Sequence, residues 1–267
     1  MVIRMECKGI DVSYHQGTID WKKVKADGIK YAIIRAGYGK TQMDKKFIEN
    51  ICGANTAGIE VGIYWFIYAK DVSEAIENAD RCHACISLYK GIIKHKVWAD
   101  WEYDSDRKNP QNKASRTAIV KAFCERLESH GYDVGVYANP DYMKSKFDMS
   151  QLSKYPLWLA KYSSSKGSYN PFMWQYSSKG SVAGISGNVD MNILYDGKAE
   201  SYPVLHYGDK NEYVGIMQRK LKAKGYDCGK VDNVFGQKTN NALILYKYKN
   251  ERVEVDECLW QGLMKKF

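Results

Sequence analysis

No stretch of the 267-residue chain stays apolar for anything near the roughly 18 residues that a membrane-crossing helix needs. A membrane partner is therefore not expected. The opening residues, Met1-Val2-Ile3-Arg4-Met5-Glu6-Cys7, lack the apolar core of a secretory signal. That leaves a protein made and kept in the cytosol, one exported by another route, or a chain whose leader is missing. Basic residues are numerous enough for a net charge of +9, but they form no arm, tail or stripe. Nucleic acid is not expected as a partner, and an anionic polymer such as a cell wall suits the charge equally well. The seven cysteines are odd in number and irregularly spaced, which excludes a regular disulfide framework. Mostly buried free thiols in a reducing compartment are expected instead. Cys82-His83-Ala84-Cys85 has metal-like spacing, yet no second ligand pair follows at finger-like distance and the segment lies in a helical pattern over 74–88. No metal or cofactor is expected.

What the chain does have is a run of short apolar segments alternating with helical patterns. Strands are predicted at 9–14, 31–36, 61–68, 96–103, 134–138, 157–160, 172–176 and 189–193. Helices are predicted at 19–27 (capped by Thr18 or Asp20), 44–57, 72–89 (Ser73 a candidate cap) and 112–130. Strands apolar on both faces, separated by helices, are parallel strands covered by helices. Eight of them in about 195 residues predict an α/β fold, a TIM-like β/α barrel. The last links, 161–171 and 177–188, are short and rich in Ser and Gly. A parallel crossover needs a dozen or more residues. The barrel should therefore be irregular, losing its helices in the last links, with some late strands antiparallel.

In such barrels the chemistry sits at the C-terminal ends of the strands. Four acids fall there: Asp11, Asp100, Glu102 and Asp190. Asp100 and Glu102, two residues apart on one strand, share a face, and paired carboxyls raise one another's pKa. That is how a site keeps one acid protonated beside one ionised, as glycosidic cleavage requires. The expectation is a raised Glu102 and an ionised Asp100. Strand eight closes beside strand one, so Asp190 and Asp11 should be neighbours. Aromatics crowd the same ends, Tyr64, Phe66, Tyr137, Trp158 and Trp174 among them, and the chain holds 21 Tyr and 7 Trp. Aromatic faces stack on sugar rings, so a carbohydrate groove is credible.

After a linker the pattern changes. Asp209 can cap a helix carrying Val214, Met217, Gln218 and Leu221. Val231 to Gly236 is a turn, Thr239 opens a second helix, and 255–263 gives a third. The expected organisation is a barrel over 1–196, a linker over 197–207 and a small three-helix module over 208–267.

Gly9-Ile10-Asp11-Val12-Ser13, Gly62-Ile63-Tyr64-Trp65-Phe66, Asp100-Trp101-Glu102, Gly135-Val136-Tyr137, Trp174-Gln175-Tyr176 and Gly184-Ile185-Ser186-Gly187-Asn188-Val189-Asp190-Met191-Asn192 together resemble the Chalaropsis-type lysozymes of glycoside hydrolase family 25. The resemblance covers about residues 8 to 196. It implies an N-acetylmuramidase cutting the β-1,4 bond between N-acetylmuramic acid and N-acetylglucosamine in peptidoglycan, with retention and without a cofactor. It also implies Glu102 as general acid/base and Asp100 as nucleophile or as the group that steers the substrate's N-acetyl oxygen. Asp11 and Asp190 become acids of the floor, and Tyr64, Phe66, Tyr137, Trp158, Trp174 and Gln175 substrate-binding residues. The tail resembles the peptidoglycan-binding domain 1 module, with Asp232-Asn233 in place of the usual Asp-Gly. The combination looks like a phage endolysin, held in the host cytoplasm until a holin releases it to the wall. A host autolysin, or an inactive wall-binding protein on the same fold, is the alternative.

Overall fold

The computed structural model describes residues 7–195 and 204–247. The helix expected at 255–263 and residues 197–203 of the expected linker lie outside them. The described residues fall into two compact units, one within 6–197 and one within 198–267.

The first unit is a closed barrel of eight strands. They are β1 (Cys7–Val12), β2 (Tyr31–Tyr38), β4 (Glu60–Phe66), β5 (Ile93–Asp100), β6 (Val134–Ala138), β7 (Leu157–Ala160), β8 (Met173–Gly180) and β9 (Val189–Leu194). A two-residue strand, β3 (Gln42–Met43), folds back on the end of β2. Pairing is parallel from β1 round through β2, β4, β5, β6 and β7 to β8, while β9 runs antiparallel to both β8 and β1 and closes the ring. All eight expected staves are present. The reversal falls only at the last link. The 161–172 connection carries no helix yet joins β7 to a parallel β8; at about a dozen residues it just reaches the length that a parallel crossover needs.

Four of the helices cover the early links: α1 (Trp21–Ala26), α2 (Phe47–Thr56), α3 (Val72–Ile86) and α5 (Lys113–Ser129). Asp20 caps α1, its carboxylate accepting from the Lys23 amide at 3.2 Å. Asp71, not Ser73, caps α3, because its extended backbone aims the carboxylate at the Glu74 amide, 2.9 Å away. Past β6 the only helical turn among the described barrel residues is Tyr142–Lys146.

The fourth strand stops short of its expected end. β5 ends at Asp100, and a short helix, α4 (Tyr103–Lys108), starts immediately. Acidic Asp104 and Asp106 in its first turn favour a helix N-terminus. The Glu102 amide donates to Ser105 Oγ at 3.3 Å, half of a capping box.

Strand alternation divides the side chains into two sets. Outward residues pack under the helices in a large core that includes Val61, Ile63, Trp65, Val97, Ala99 and Trp101. Inward residues fill the lumen, where Tyr31, Ile33, Trp98, Trp158 and Met173 pack together. Glycines make the large rings fit. A Cβ on Gly135 would lie 2.3 Å from a Trp98 ring carbon, and one on Gly9 equally close to Tyr31.

The second unit contains α6 (Glu212–Ala223) and α7 (Gln237–Lys247). Leu205, Val214, Met217, Leu221, Phe235 and Ala242 form its core. Asn211 rather than Asp209 caps α6, accepting from the Val214 amide at 3.1 Å; Asp209 instead accepts from the His206 amide. Gln218 organises the turn between the helices. Its amide donates to Asp232 at 2.8 Å and Thr239 at 2.9 Å, and its oxygen accepts from the Asp232 and Asn233 amides. Asn233 sits in the left-handed region at φ 63°, where glycine is the residue of least strain and Asn the next best tolerated.

Replacing Gly135 with Ala overfills the lumen, with an expected loss of about 1–3 kcal/mol of stability. Chemical denaturation measures it; an unchanged midpoint would mean that Trp98 is loosely held.

Candidate active site

The lumen is plugged below and open above, because the inward residue at the upper end of nearly every stave is polar. The result is a cleft of about 230 Å³ at the barrel mouth. Asp11 of β1, Asp100 of β5 and Asp190 of β9 line it, with Glu102 just past β5. Asp190 is the second residue of its strand, yet it reaches the same mouth because β9 is reversed. The ladder sets it directly opposite Asp11. All four expected acids meet in one cavity.

Their burial decides their chemistry. Asp11 and Asp100 are 6% and 4% exposed. Asp100 and Glu102 act on each other as one pair of carboxyls, and Asp11 and Asp190 as another. Burial disfavours the ionised form of every member, and like charge adds to it within each pair. Burial, then the charge of Glu102, pushes Asp100 well above the usual carboxylate range. Burial, then the charge of Asp190, does the same to Asp11. Burial raises Glu102 and Asp190 as well.

The raised Glu102 agrees with expectation, and Asp100 is raised beside it. Asp100 is the more deeply buried of the two, and its Oδ1 finds no donor among the described residues.

The floor is held by amides. Asn192 donates to Asp11 Oδ2 at 2.7 Å, and Gln175 donates to Asp11 at 2.9 Å and Asp190 at 3.3 Å. Trp158 fixes Asn192 through its indole N–H at 2.8 Å. Glu102 is held from behind. Asp106 in α4 accepts from the Trp101 indole at 3.3 Å, the Arg116 guanidinium at 2.9 Å and the Tyr142 hydroxyl at 2.7 Å.

Tyr64, Phe66, Tyr137 and Trp158 line the cleft as expected, with Tyr137 and Trp158 nearly buried at its base. Trp174 does not. Gln175 faces in, so its neighbour must face out, and Trp174 packs outside the barrel with Leu159 and Tyr195 while donating to the Lys161 carbonyl. Two lining residues were missed. Arg35 shares the inward phase of Tyr31 and Ile33, and a lone cation in an apolar strand was the available signal. It is ion-paired with buried Asp44 at 2.7 Å. Tyr162, in the loop after β7, carried no signal because loop geometry is not periodic. No cluster of metal-ligating residues occurs among the described residues, Cys82-His83-Ala84-Cys85 included.

A cleft floored by buried carboxyls of raised pKa and walled by aromatic rings is the equipment of a glycoside hydrolase. The family model "Glycosyl hydrolases family 25" matches residues 10–185, and the chain belongs to that family. It is similar to the "Autolytic lysozyme" of Clostridium acetobutylicum, 32% identical over 88% of this chain and 71% of that protein. It is similar to "Lysozyme M1" of Streptomyces globisporus, 30% identical over 69% of this chain and 66% of that protein. Among solved structures it resembles the modular autolysin LytC from Streptococcus pneumoniae, determined in complex with a synthetic peptidoglycan ligand. That match has a TM-score of 0.65 and 29% identity, covering 71% of this chain and 47% of LytC. The chain thus spans about two thirds of the length of Lysozyme M1 and about half that of LytC.

Glu102 must carry a proton to act as an acid, and the charge of Asp190 helps to raise its pKa. Asp190→Asn removes that charge, so Glu102 loses its proton at lower pH. The alkaline limb of kcat/KM for glycan hydrolysis should move to lower pH. A limb that stays in place would uncouple the two acids.

Proposed function

We propose that this glycoside hydrolase is an N-acetylmuramidase of bacterial peptidoglycan, cutting the β-1,4 bond between N-acetylmuramic acid and N-acetylglucosamine. Glu102 is the general acid that protonates the leaving oxygen and the general base that then activates water. Asp100 works beside it on the anomeric side, as nucleophile or by steering the substrate's N-acetyl oxygen. Asp11 and Asp190 form the floor, and Tyr64 and Phe66 offer ring faces to the sugar.

The observation that carries this reading is the meeting of Asp100, Glu102, Asp11 and Asp190 in one cleft with Tyr64 and Phe66 at the barrel mouth. Cleavage with retention is part of the proposal.

The chain from about 208 onward is proposed as a wall-targeting module. The setting proposed is that of an endolysin, stored in a host cytoplasm and released through a holin. It is supported by the free thiols of Cys52, Cys82, Cys85, Cys124 and Cys228, which suit folding in a reducing compartment. The likeness to an autolytic lysozyme favours a host autolysin as the second reading.

Glu102→Gln should reduce clearing of wall suspensions by at least about 1000-fold while leaving the fold intact, since acid and base are both lost. Mass spectrometry of peptidoglycan digested by the parent should find new reducing ends on muramic acid. Reducing ends on glucosamine, or free peptides, would refute the assignment. A chain ending near residue 196 should still cut soluble glycan but bind whole walls less well; equal wall binding would end the targeting reading.

A further inference from the structure

Gln175 was expected to touch substrate. Its side chain has no capacity left to do so. The residue is 2% exposed, and both ends of its amide are occupied by protein. The nitrogen donates to Asp11 at 2.9 Å and to Asp190 at 3.3 Å. The oxygen accepts from the Tyr137 hydroxyl at 2.9 Å and the Tyr162 hydroxyl at 3.1 Å. A primary amide has two N–H donors and one carbonyl acceptor with two lone pairs, so all four positions are filled.

The direction of the amide is set as well. If it flipped, its oxygen would face the two carboxyl oxygens that now accept from its nitrogen. The two phenol hydroxyls, donating from the other side, hold it in the orientation observed.

We propose that Gln175 is a positioning residue for the reaction: its amide holds the Asp11–Asp190 pair in place at the cleft floor, and Tyr137 and Tyr162 fix which way that amide points. The assignment rests on the muramidase reading for its catalytic consequence, but its structural part stands apart from it. Asn192 supports the same pair through Asp11 alone. Gln175 is the side chain that bridges both members. Tyr162 adds a second element. It is 57% exposed in the loop between β7 and β8, and it donates to Gln175's oxygen. The position of that loop is therefore linked to the carboxyl pair through this amide.

The test uses the full chain and three variants, Gln175→Met, Gln175→Glu and Tyr162→Phe. Each is assayed on purified peptidoglycan across pH, and Asp11 and Asp190 are titrated by NMR of their carboxyl carbons. Gln175→Met should lower kcat about 10- to 100-fold, the scale of a small misplacement of reacting groups. KM should stay within about twofold, since no substrate contact is lost. Asp11 should titrate at higher pH than in the parent, because an N–H donor that favours the carboxylate is gone. Gln175→Glu still accepts from both tyrosines, but it can donate only when protonated, so its activity should recover as pH falls. Tyr162→Phe should lower kcat in the same direction by less.

A Gln175→Met protein with parental kcat and an unmoved Asp11 titration would reduce the residue to a filler. A loss confined to KM would make it a substrate contact. Either result overturns the proposal. Should Gln175→Met fail to fold, the low-pH recovery of Gln175→Glu and the kcat of Tyr162→Phe decide it, and absence of both effects overturns it. If the parent releases no reducing ends, the muramidase reading falls, while the Asp11 titration still decides the role of Gln175.

Discussion

The antiparallel closure of β9 on β1 sets Asp190 across from Asp11, and the rest of the barrel mouth depends on that register. It brings two carboxyls into a space that already holds Asp100 and Glu102. Four ionised acids could not coexist there, because burial removes the water that would screen them. The structure answers with raised pKa values on all four and a bridge of amide donors. The one cation lining the cleft among the described residues, Arg35, is already engaged by buried Asp44, whose other oxygen accepts from the Lys46 amide. Burial first, and then the charge of Asp190, raise the pKa of Glu102 above that of an exposed glutamate.

Precision at Glu102 comes from outside the cleft. The residue lies beyond the end of β5, where a loop would leave it loose. A largely buried ion pair prevents this. Arg116 on α5 reaches Asp106 on α4 and also donates to the Lys146 carbonyl, tying the segment after β5 to the turn after β6. Trp101 and Tyr142 complete the ring of donors around Asp106. The Glu102 carboxyl thus rests on two helices and a packed core, a rigid support.

Much of the architecture was legible in the chain. Strands buried on both faces must read as unbroken apolar runs, so 31–36 and 61–68 announced themselves without any alternation to interpret, although the second ends at Phe66. The four acids stood out for the same reason, as charges inside apolar runs. Caps were less legible: Ser73 and Asp71 are both good cap types, and only the extended backbone at Asp71 chose between them. The end of β5 was misread because Trp101 continues the apolar pattern of the strand, although it packs in the outer core and the chain has already turned into α4.

The sequence by itself determined which residues would be strands, that the strands would close into an irregular barrel, and which acids would gather at its mouth. These follow from local burial patterns and from the order of elements along the chain. Tertiary structure alone decided the inward or outward phase of each stave. That phase sent Trp174 outside, brought Arg35 in, and turned Gln175 from a presumed sugar contact into the clamp of the floor. It also decided that the pKa of Asp100 rises, since a carboxyl's pKa is set by the water it loses and the charges it meets. Those are properties of neighbours far apart in the chain, and no spacing of residues records them.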